Sequence, residues 1–444
     1  MPYTARPMPT LSSASLLLSA VFAAALVAGL LLKVWLASRQ IRHVARQRAA
    51  VPAAFAERIA LAAHQKAADY TIAKARTGLL EMTFSAAVLL AWTLLGGLSL
   101  LDQALLAWLG GGMAQQLALL ACVALIGAAL DLPFSLYQTF VLEQRFGFNQ
   151  MTPALWLADL AKATLLGALI GLPLAALVLW LMAAAGPLWW LWAWAVWAGF
   201  SLLLMLAYPL WIAPLFNQFQ PLEDAALKER VSTLMARCGF TTSGLFVMDG
   251  SRRSAHANAY FTGFGAAKRV VFFDTLLKKL SAPQVEAVLA HELGHFKHRH
   301  VARRMLLLFA LSLLGFALLG WLAGQAWFYT GLGVQPHLAL AGLAGPAPND
   351  ALALVLFMLV LPVFSVFLTP LAAQRSRRDE FQADAYAAAL TDGADLADAL
   401  LTLYEDNAST LTPDPVYARF YYSHPPASER LARLAALAPK AGMA

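Results

Sequence analysis

The stretch Ser281 to Arg304 carries His291-Glu292-Leu293-Gly294-His295, and the reading of these residues decides how the rest of the chain must be arranged. Helical side chains four apart lie one above the other on the same face. Both imidazoles can therefore reach one Zn²⁺, while Glu292 beside them takes a proton from a water that the metal activates. That is the chemistry of peptide-bond hydrolysis. The stretch also starts as a helix should, with Ser281 as N-cap, Gln284 three residues on to complete a capping box, and Pro283 in the first turn. These signals are independent of the histidines. The bland alternative is a coincidental pair of surface histidines, and the surrounding chain has to decide between the two.

Of the 444 residues 60% are hydrophobic and only 13% charged, and the mean hydropathy is +0.63, too apolar for a soluble globular protein. An integral membrane protein is expected, with the lipid bilayer as its surroundings. The net charge of +7 does not point to nucleic acid, because the basic residues sit in particular inter-helix segments and form no recognisable binding motif. Two cysteines, Cys122 in an apolar run and Cys238 in a soluble stretch, exclude a disulfide framework and a thiolate metal site. A zinc ion here must use nitrogen and oxygen ligands. The apolar run from Ser15 to Leu32 has little positive charge before it and Arg39, Arg42, Arg46 and Arg48 after it, so it reads as a retained membrane helix and not as a signal peptide.

Apolar windows long enough to cross the hydrocarbon core lie near residues 14–36, 79–101, 113–133, 154–183, 187–213, 304–328 and 351–371. The intervening segments test this count of seven. Segments 37–78, 143–153, 214–303 and 372–444 hold nearly all the lysines and arginines, whereas 102–112, 184–186 and 329–350 hold none. Alternate loops are basic, which puts the N-terminus outside and the histidine helix and C-terminus on the cytoplasmic side. Four regions follow: an N-terminal membrane region over 1–213 with five helices, a cytoplasmic zinc protease core over 214–303, helices six and seven over 304–371, and a cytoplasmic C-terminal segment over 372–444. Asp131, Asp159 and Lys162 fall in or beside these windows. They read either as groups facing a polar cavity or as an interfacial set at helix ends.

The longest soluble stretch, Phe216 to His300, has the signals of a small α+β unit. Leu222 to Cys238 is polar with apolar residues at helical spacing. Leu245 to Met248, Asn258 to Phe261 and Val270 to Phe273 read as strands, the last two separated by Thr262-Gly263-Phe264-Gly265. A strand exposed beside the metal would let an extended polypeptide add to the sheet edge; the same residues also suit a hairpin packed under the helix.

A hydrolytic zinc site uses three protein ligands and keeps one position for water. His298 and His300 are nearest in sequence, but three side chains along one straight helix cannot surround a metal tetrahedrally, so both read as cationic residues near the membrane surface. Glu380, in Ser376-Arg377-Arg378-Asp379-Glu380-Phe381-Gln382-Ala383-Asp384, is the best distant candidate because it follows the seventh window on the same side. Asp384, one turn later, can accept the free ring N–H of a ligating histidine. A solvated charged helix end is the plainer reading of both.

Together, the His291–His295 motif and Ser376 to Asp384 resemble the membrane zinc endopeptidase family that includes the type 1 CAAX prenyl protease and the heat-shock membrane protease HtpX. The resemblance to the CAAX prenyl protease branch extends through Glu143-Gln144-Arg145-Phe146-Gly147-Phe148-Asn149, Pro214-Leu215-Phe216-Asn217, Asn258-Ala259-Tyr260-Phe261-Thr262-Gly263, and His424-Pro425-Pro426 with Arg430. It implies one Zn²⁺ per chain held by His291, His295 and Glu380, with Glu292 as general base and acid, Asn258 contacting substrate, and His424 and Arg430 lining the site near the developing oxyanion. It also implies a fold of seven membrane helices enclosing a polar chamber, with a gluzincin-type protease unit on the cytoplasmic side. The expected function is hydrolysis of polypeptides, including membrane-associated ones, in processing or quality control; the Ala-, Leu- and Trp-rich composition suggests a bacterial inner membrane. A membrane chaperone or scaffold with a structural zinc is the competing class, but a four-ligand structural site has no need of Glu292. A transporter is disfavoured, because no pair of interrupted helices recurs in two halves.

Overall fold

The computed structural model describes residues 12–262, 267–337 and 348–437. The N-terminal half is built of long apolar helices: α1 Ser13–Gln47, α2 Leu61–Trp92, α3 Gly97–Leu109, α4 Met113–Tyr137 and α5 Pro153–Ala184, then α6 Trp189–Ala207, which leads through a π turn into α7 Ala213–Phe216. Local chemistry starts two of them: Ser12 caps α1 at 3.1 Å, and Thr152 caps α5 at 3.2 Å with Pro153 in its first turn. Among the described residues six helices are long and apolar enough to cross a bilayer. The bent pair α2–α3, with 51° between its axes, makes the seventh.

That bend falls inside the expected window 79–101. Gly96 adopts φ +79°, and a Cβ on Gly97 would lie 2.5 Å from the carbonyl oxygen of Ala91, so the chain turns where only glycine fits. Windows 14–36, 113–133 and 154–183 each lie on one longer helix, windows 187–213 and 351–371 run on from α6 and from α13 (below) into the helices that follow, and α11 (below) ends before residue 328.

The soluble unit is a four-stranded sheet. Its strands are β1 Phe219–Pro221, β2 Thr241–Met248, β3 Ala259–Thr262 and β4 Ala267–Phe273, in the order β1-β2-β4-β3, with β2 and β4 parallel and the outer pairs antiparallel. β1 has no alternating apolar pattern and contains Pro221, which suits an edge strand and escapes a sequence reading. α8 Ala225–Arg237, α9 Asp274–Leu277 and α10 Ala282–Lys297 complete it. Leu289 and Leu293 of α10 are fully buried with Leu234 of α8 and Val270 and Phe272 of β4. Each such side chain contributes about 1.5–3 kcal/mol by burial. The turn between β3 and β4 lies outside the described residues.

The chain then re-enters the apolar region as α11 His300–Leu322, followed by α12 Ala326–Thr330 and α13 Asp350–Ser365. It returns as α14 Thr369–Leu390 to the soluble side, where α15 Gly393–Asp406, α16 Pro415–Tyr421 and α17 Ala427–Leu437 end the description. Asp159 and Lys162 pin α5 to the soluble side. The Asp159 carboxylate accepts a forked pair from Arg253 at 2.9 and 3.1 Å, and Lys162 Nζ donates to the Leu215 carbonyl at 2.9 Å. Asp159 and Lys162 are thus engaged by the segments next to the soluble sheet, near the N-terminal end of α5.

Between the helices a cavity of about 980 Å³ runs from the α2 residues Gly78 and Met82 to the soluble unit. A second of about 390 Å³, among α1, α2 and α13, shares Gly78 and Met82 with it, so helices and soluble unit enclose a chamber.

Candidate metal centre

α10 begins with the capping box foreseen from its sequence, the Ser281 N–H donating to Gln284 Oε1 at 2.9 Å. Its apolar face is committed to the core, which leaves His291 and His295 on the side met by α14. The approach of those helices depends on Gly294: a Cβ there would stand 3.0 Å from Ala383 Cα and 3.3 Å from the Ala383 carbonyl oxygen. Glu380 and Asp384 are four apart on α14, so both face α10, and they are only 3% and 1% exposed.

The three expected ligands converge. His291 Nε2 lies 3.3 Å from His295 Nε2 and 3.4 Å from Glu380 Oε2, and His295 Nε2 lies 3.5 Å from Glu380 Oε1. Ligands about 2.0–2.1 Å from a tetrahedral ion stand roughly 3.3–3.4 Å from one another, so the spacing fits a first-row metal. These three residues are the one group among the described residues whose donor atoms lie close enough to share an ion. Glu380 Oε2 is buried without a hydrogen-bond partner, a vacancy in polar satisfaction that a cation would fill.

The outer partners fix which nitrogen faces the centre. His291 Nδ1 lies 2.8 Å from Asp384 Oδ1, so its proton belongs there and the Nε2 lone pair points inward. His295 is held by His300. The chain breaks at His298 and Arg299, whose φ of +56° lies in the left-handed region, and this swings His300 back until its Nδ1 is 2.9 Å from His295 Nδ1. His300 Nε2 meets Gln382 Oε1, an acceptor, at 2.9 Å. His300 must donate at Nε2 and accept at Nδ1, which places the His295 proton on Nδ1 and leaves its Nε2 bare. Two imidazole nitrogens and a carboxylate thus face one another, an arrangement that a bound cation would hold together.

His300, 2% exposed, is therefore not the cationic surface residue expected from the sequence. The expectation assumed a straight helix through Arg304, and the left-handed Arg299 removes that premise. His298 is exposed at the helix end, as expected.

Charge follows from burial and neighbours. Burial disfavours the His291 cation, but Asp384 and Glu380 outweigh it and raise His291 to about 9. His295 is pushed down to about 4 by burial, with His291 adding to the effect. Burial pushes Glu292 above the ordinary carboxylate range, with His291 opposing the shift. A metal entering this centre would take the place of the His291 proton.

Arg430, expected near the developing oxyanion, lines the larger cavity with His424 and meets His291 through Asp384. It is 5% exposed and forks onto Asp384, with Nε 2.9 Å from Oδ2 and one terminal nitrogen 2.5 Å from Oδ1. His424 stands at the mouth, exposed, with Nε2 3.4 Å from Glu380 Oε1, and Asn258 precedes β3 on the opposite wall; both line the larger cavity. His424 is not in the close group of donor atoms, so three ligands and not four are gathered.

A three-ligand centre with a carboxylate at the next residue, beside a cavity that Asn258 and His424 line, is suited to metal-assisted hydrolysis, and the fold around it is that of a membrane metallopeptidase. Comparison with known proteins takes this further. Residues 40–218 match the family described as CAAX prenyl protease N-terminal, five membrane helices, and residues 221–438 match peptidase family M48. CAAX prenyl protease 1 homolog of Arabidopsis thaliana is 38% identical over 71% of this chain and 72% of its own length. The Saccharomyces cerevisiae CAAX prenyl protease 1 is 37% identical over 72% of each chain. The crystal structure of S. mikatae Ste24p superposes with a TM-score of 0.85 at 30% identity, covering 97% of this chain and 100% of that one. The chain belongs to the CAAX prenyl protease 1 family of metallopeptidases.

Proposed function

We propose that the metal is zinc, one ion per chain, held by His291, His295 and Glu380, and that the protein is an endopeptidase cutting polypeptides that reach the centre from the chamber. The convergence of two imidazole nitrogens and an unpartnered carboxylate oxygen at 3.3–3.5 Å carries this reading. Nitrogen and oxygen donors in a three-ligand set suit zinc. When bound, the ion supplies Lewis-acid polarisation of the scissile carbonyl and lowers the pKa of the attacking water.

The chain's own residues supply the rest. Glu292 accepts the proton of the attacking water and returns it to the leaving amine; burial keeps its affinity for that proton high. Asn258 holds the substrate backbone beside β3, whose outer edge is free in the strand order and invites an extended peptide. His424 donates to the oxygen on which charge develops. Arg430 acts through Asp384 on His291, not on the substrate. The catalytic unit is thus assembled from 214–303 and 372–444 across the two intervening membrane helices.

The alternation of basic loops supports a cytoplasmic centre and an outside N-terminus. Composition supports a bacterial inner membrane, although the relatives compared are eukaryotic. There the substrates would be membrane-associated polypeptides in processing or quality control, with prenylated CAAX peptides the class named by the relatives.

The test is mass-spectrometric mapping of cuts in a peptide library, with prenylated CAAX peptides included, by the detergent-solubilised protein and by Glu292→Gln. We expect the variant to lose at least about 10²–10⁴-fold in kcat, the usual contribution of a general base, with its zinc content unchanged. A zinc-loaded wild type that makes no cuts would overturn the reading in favour of a chaperone or scaffold.

A further inference from the structure

Glu143 to Asn149 lie far from the metal in sequence and are used by none of the steps above. They end a helix in an unusual way. α4 passes into a π turn, Gln138–Glu143, and such bulges occur mostly where a helix has been distorted for function. Here the turn aims Glu143 at the chamber wall. Glu143 Oε1 accepts from Tyr70 Oη at 2.5 Å and from Gln138 Nε2 at 3.0 Å, while Oε2 faces His256 Nε2 at 3.5 Å.

His256 is held on every side. Phe148 stacks on it with centroids 4.3 Å apart and planes inclined by 20°. Its carbonyl accepts from Thr275 at 2.9 Å. Its Nδ1 lies 3.1 Å from Asn407 Oδ1, and the same oxygen accepts the Ala257 N–H at 3.1 Å. Because Asn407 Nδ2 faces the Ala257 carbonyl, the amide orientation is set, and His256 donates from Nδ1. The backbone just before is clamped too. Ala255 donates to the Phe148 carbonyl at 3.1 Å, and Asn149 bridges to Ser254.

The residue after this clamp is Asn258. Four separate elements, α2, the π turn, the segment after it and α15, converge on the two residues that precede it. An unsupported loop of this length would not hold its register to the few tenths of an ångström that substrate positioning needs. We infer that Glu143, His256 and Asn407 form one positioning unit that sets Ala257 and Asn258 to receive the substrate backbone, and so determine KM and the register of cleavage without touching the metal. The inference rests on the reading that Asn258 binds substrate.

The experiment is steady-state cleavage of one peptide by the full-length, detergent-solubilised protein, with cut positions mapped and zinc measured. Asn258→Ala, His256→Ala, Asn407→Leu, the double variant and Asn407→Asp are compared with wild type. We expect His256→Ala and Asn407→Leu each to raise KM about tenfold or to shift the cut. Zinc should stay unchanged, and the double variant should be no worse than the worse single, as for residues acting as a unit. Asn407→Asp keeps both acceptor bonds but loses the Nδ2 donation to the Ala257 carbonyl, so it should recover part of the KM lost in Asn407→Leu. If Asn258→Ala leaves KM and register unchanged, the underlying reading fails. If Asn258→Ala raises KM while the His256 and Asn407 variants alter neither, the positioning unit alone is overturned. Loss of kcat and thermal stability together, with KM and register constant, would make the cluster structural and also overturn it.

Discussion

Two buried histidine–carboxylate clusters stand at opposite ends of the helical body, and they differ in what their atoms face. At the chamber end, three donor atoms from α10 and α14 point at a common centre. At the other end, Asp102 of α3 is 1% exposed, accepts from Gln115 Nε2 of α4 at 2.6 Å, and lies 2.6 Å from His337 Nε2. The Asp102 carboxylate holds His337 above its ordinary range. His337 N–H in turn donates to Asn349 Oδ1 at 2.6 Å, and Gln116 Oε1 accepts from Ala351 N–H at 3.0 Å. These contacts tie α3, α4 and the start of α13 together, while Gln115 Oε1 and, apart from the ion pair to Asp102, both His337 ring nitrogens are buried without a hydrogen-bond partner. Burial and charge are shared by both clusters. Convergence on a common centre is what marks a site.

The sharpest break in the comparison is Asp384→Asn. In the metal centre the aspartate orients His291 and neutralises Arg430, so the variant should lose about 10–100-fold in metal affinity, the usual cost of removing an outer carboxylate partner. Competition against a chromogenic chelator reads this directly. Unchanged affinity would mean that Asp384 is only the partner of Arg430, a structural pin like Asp102.

A smaller effect comes from pH. His291, held at about 9 in the metal-free centre, must release its proton before it can bind. Below that value the metal competes with the proton, so apparent affinity should fall by about tenfold for each unit of decreasing pH and level off above about 9. Calorimetry in buffers of different ionisation enthalpy should count close to one proton released per ion near neutral pH. No release would mean that the two carboxylates do not hold His291 charged.

The sequence disclosed these regions unequally. α10 was legible because its signals are local: a capping box, a histidine pair at helical spacing and a glycine between them. Glu380 and Asp384 were legible as candidates through topology, since the basic loops put them on the same side. What no local pattern could give was the approach of distant elements. Arg299 is an ordinary residue for a helix, yet its left-handed backbone turns His300 from surface to support for His295. Arg430 lines the larger cavity, but its fork onto Asp384 comes only from the packing of α17 on α14, which no local pattern shows. The bend at Gly96 and Gly97 lay inside a run whose hydropathy alone looked continuous.

The outer cluster gives the smallest expected change in activity. Asp102→Asn keeps the size of the side chain and an oxygen for the Gln115 amide, but removes the charge opposite His337. Hydrogen bonds to charged groups contribute about 1.5–3 kcal/mol, so the apparent melting temperature should drop by several degrees. Metal content and kcat/KM below that transition should match wild type, because the cluster shares no residue with the centre or with its cavity. Differential scanning fluorimetry beside peptide cleavage at a temperature well under the transition separates the two quantities. A fall in kcat/KM with the metal retained would show that this cluster holds the chamber in its working shape, and the contrast between pin and site would then be one of degree.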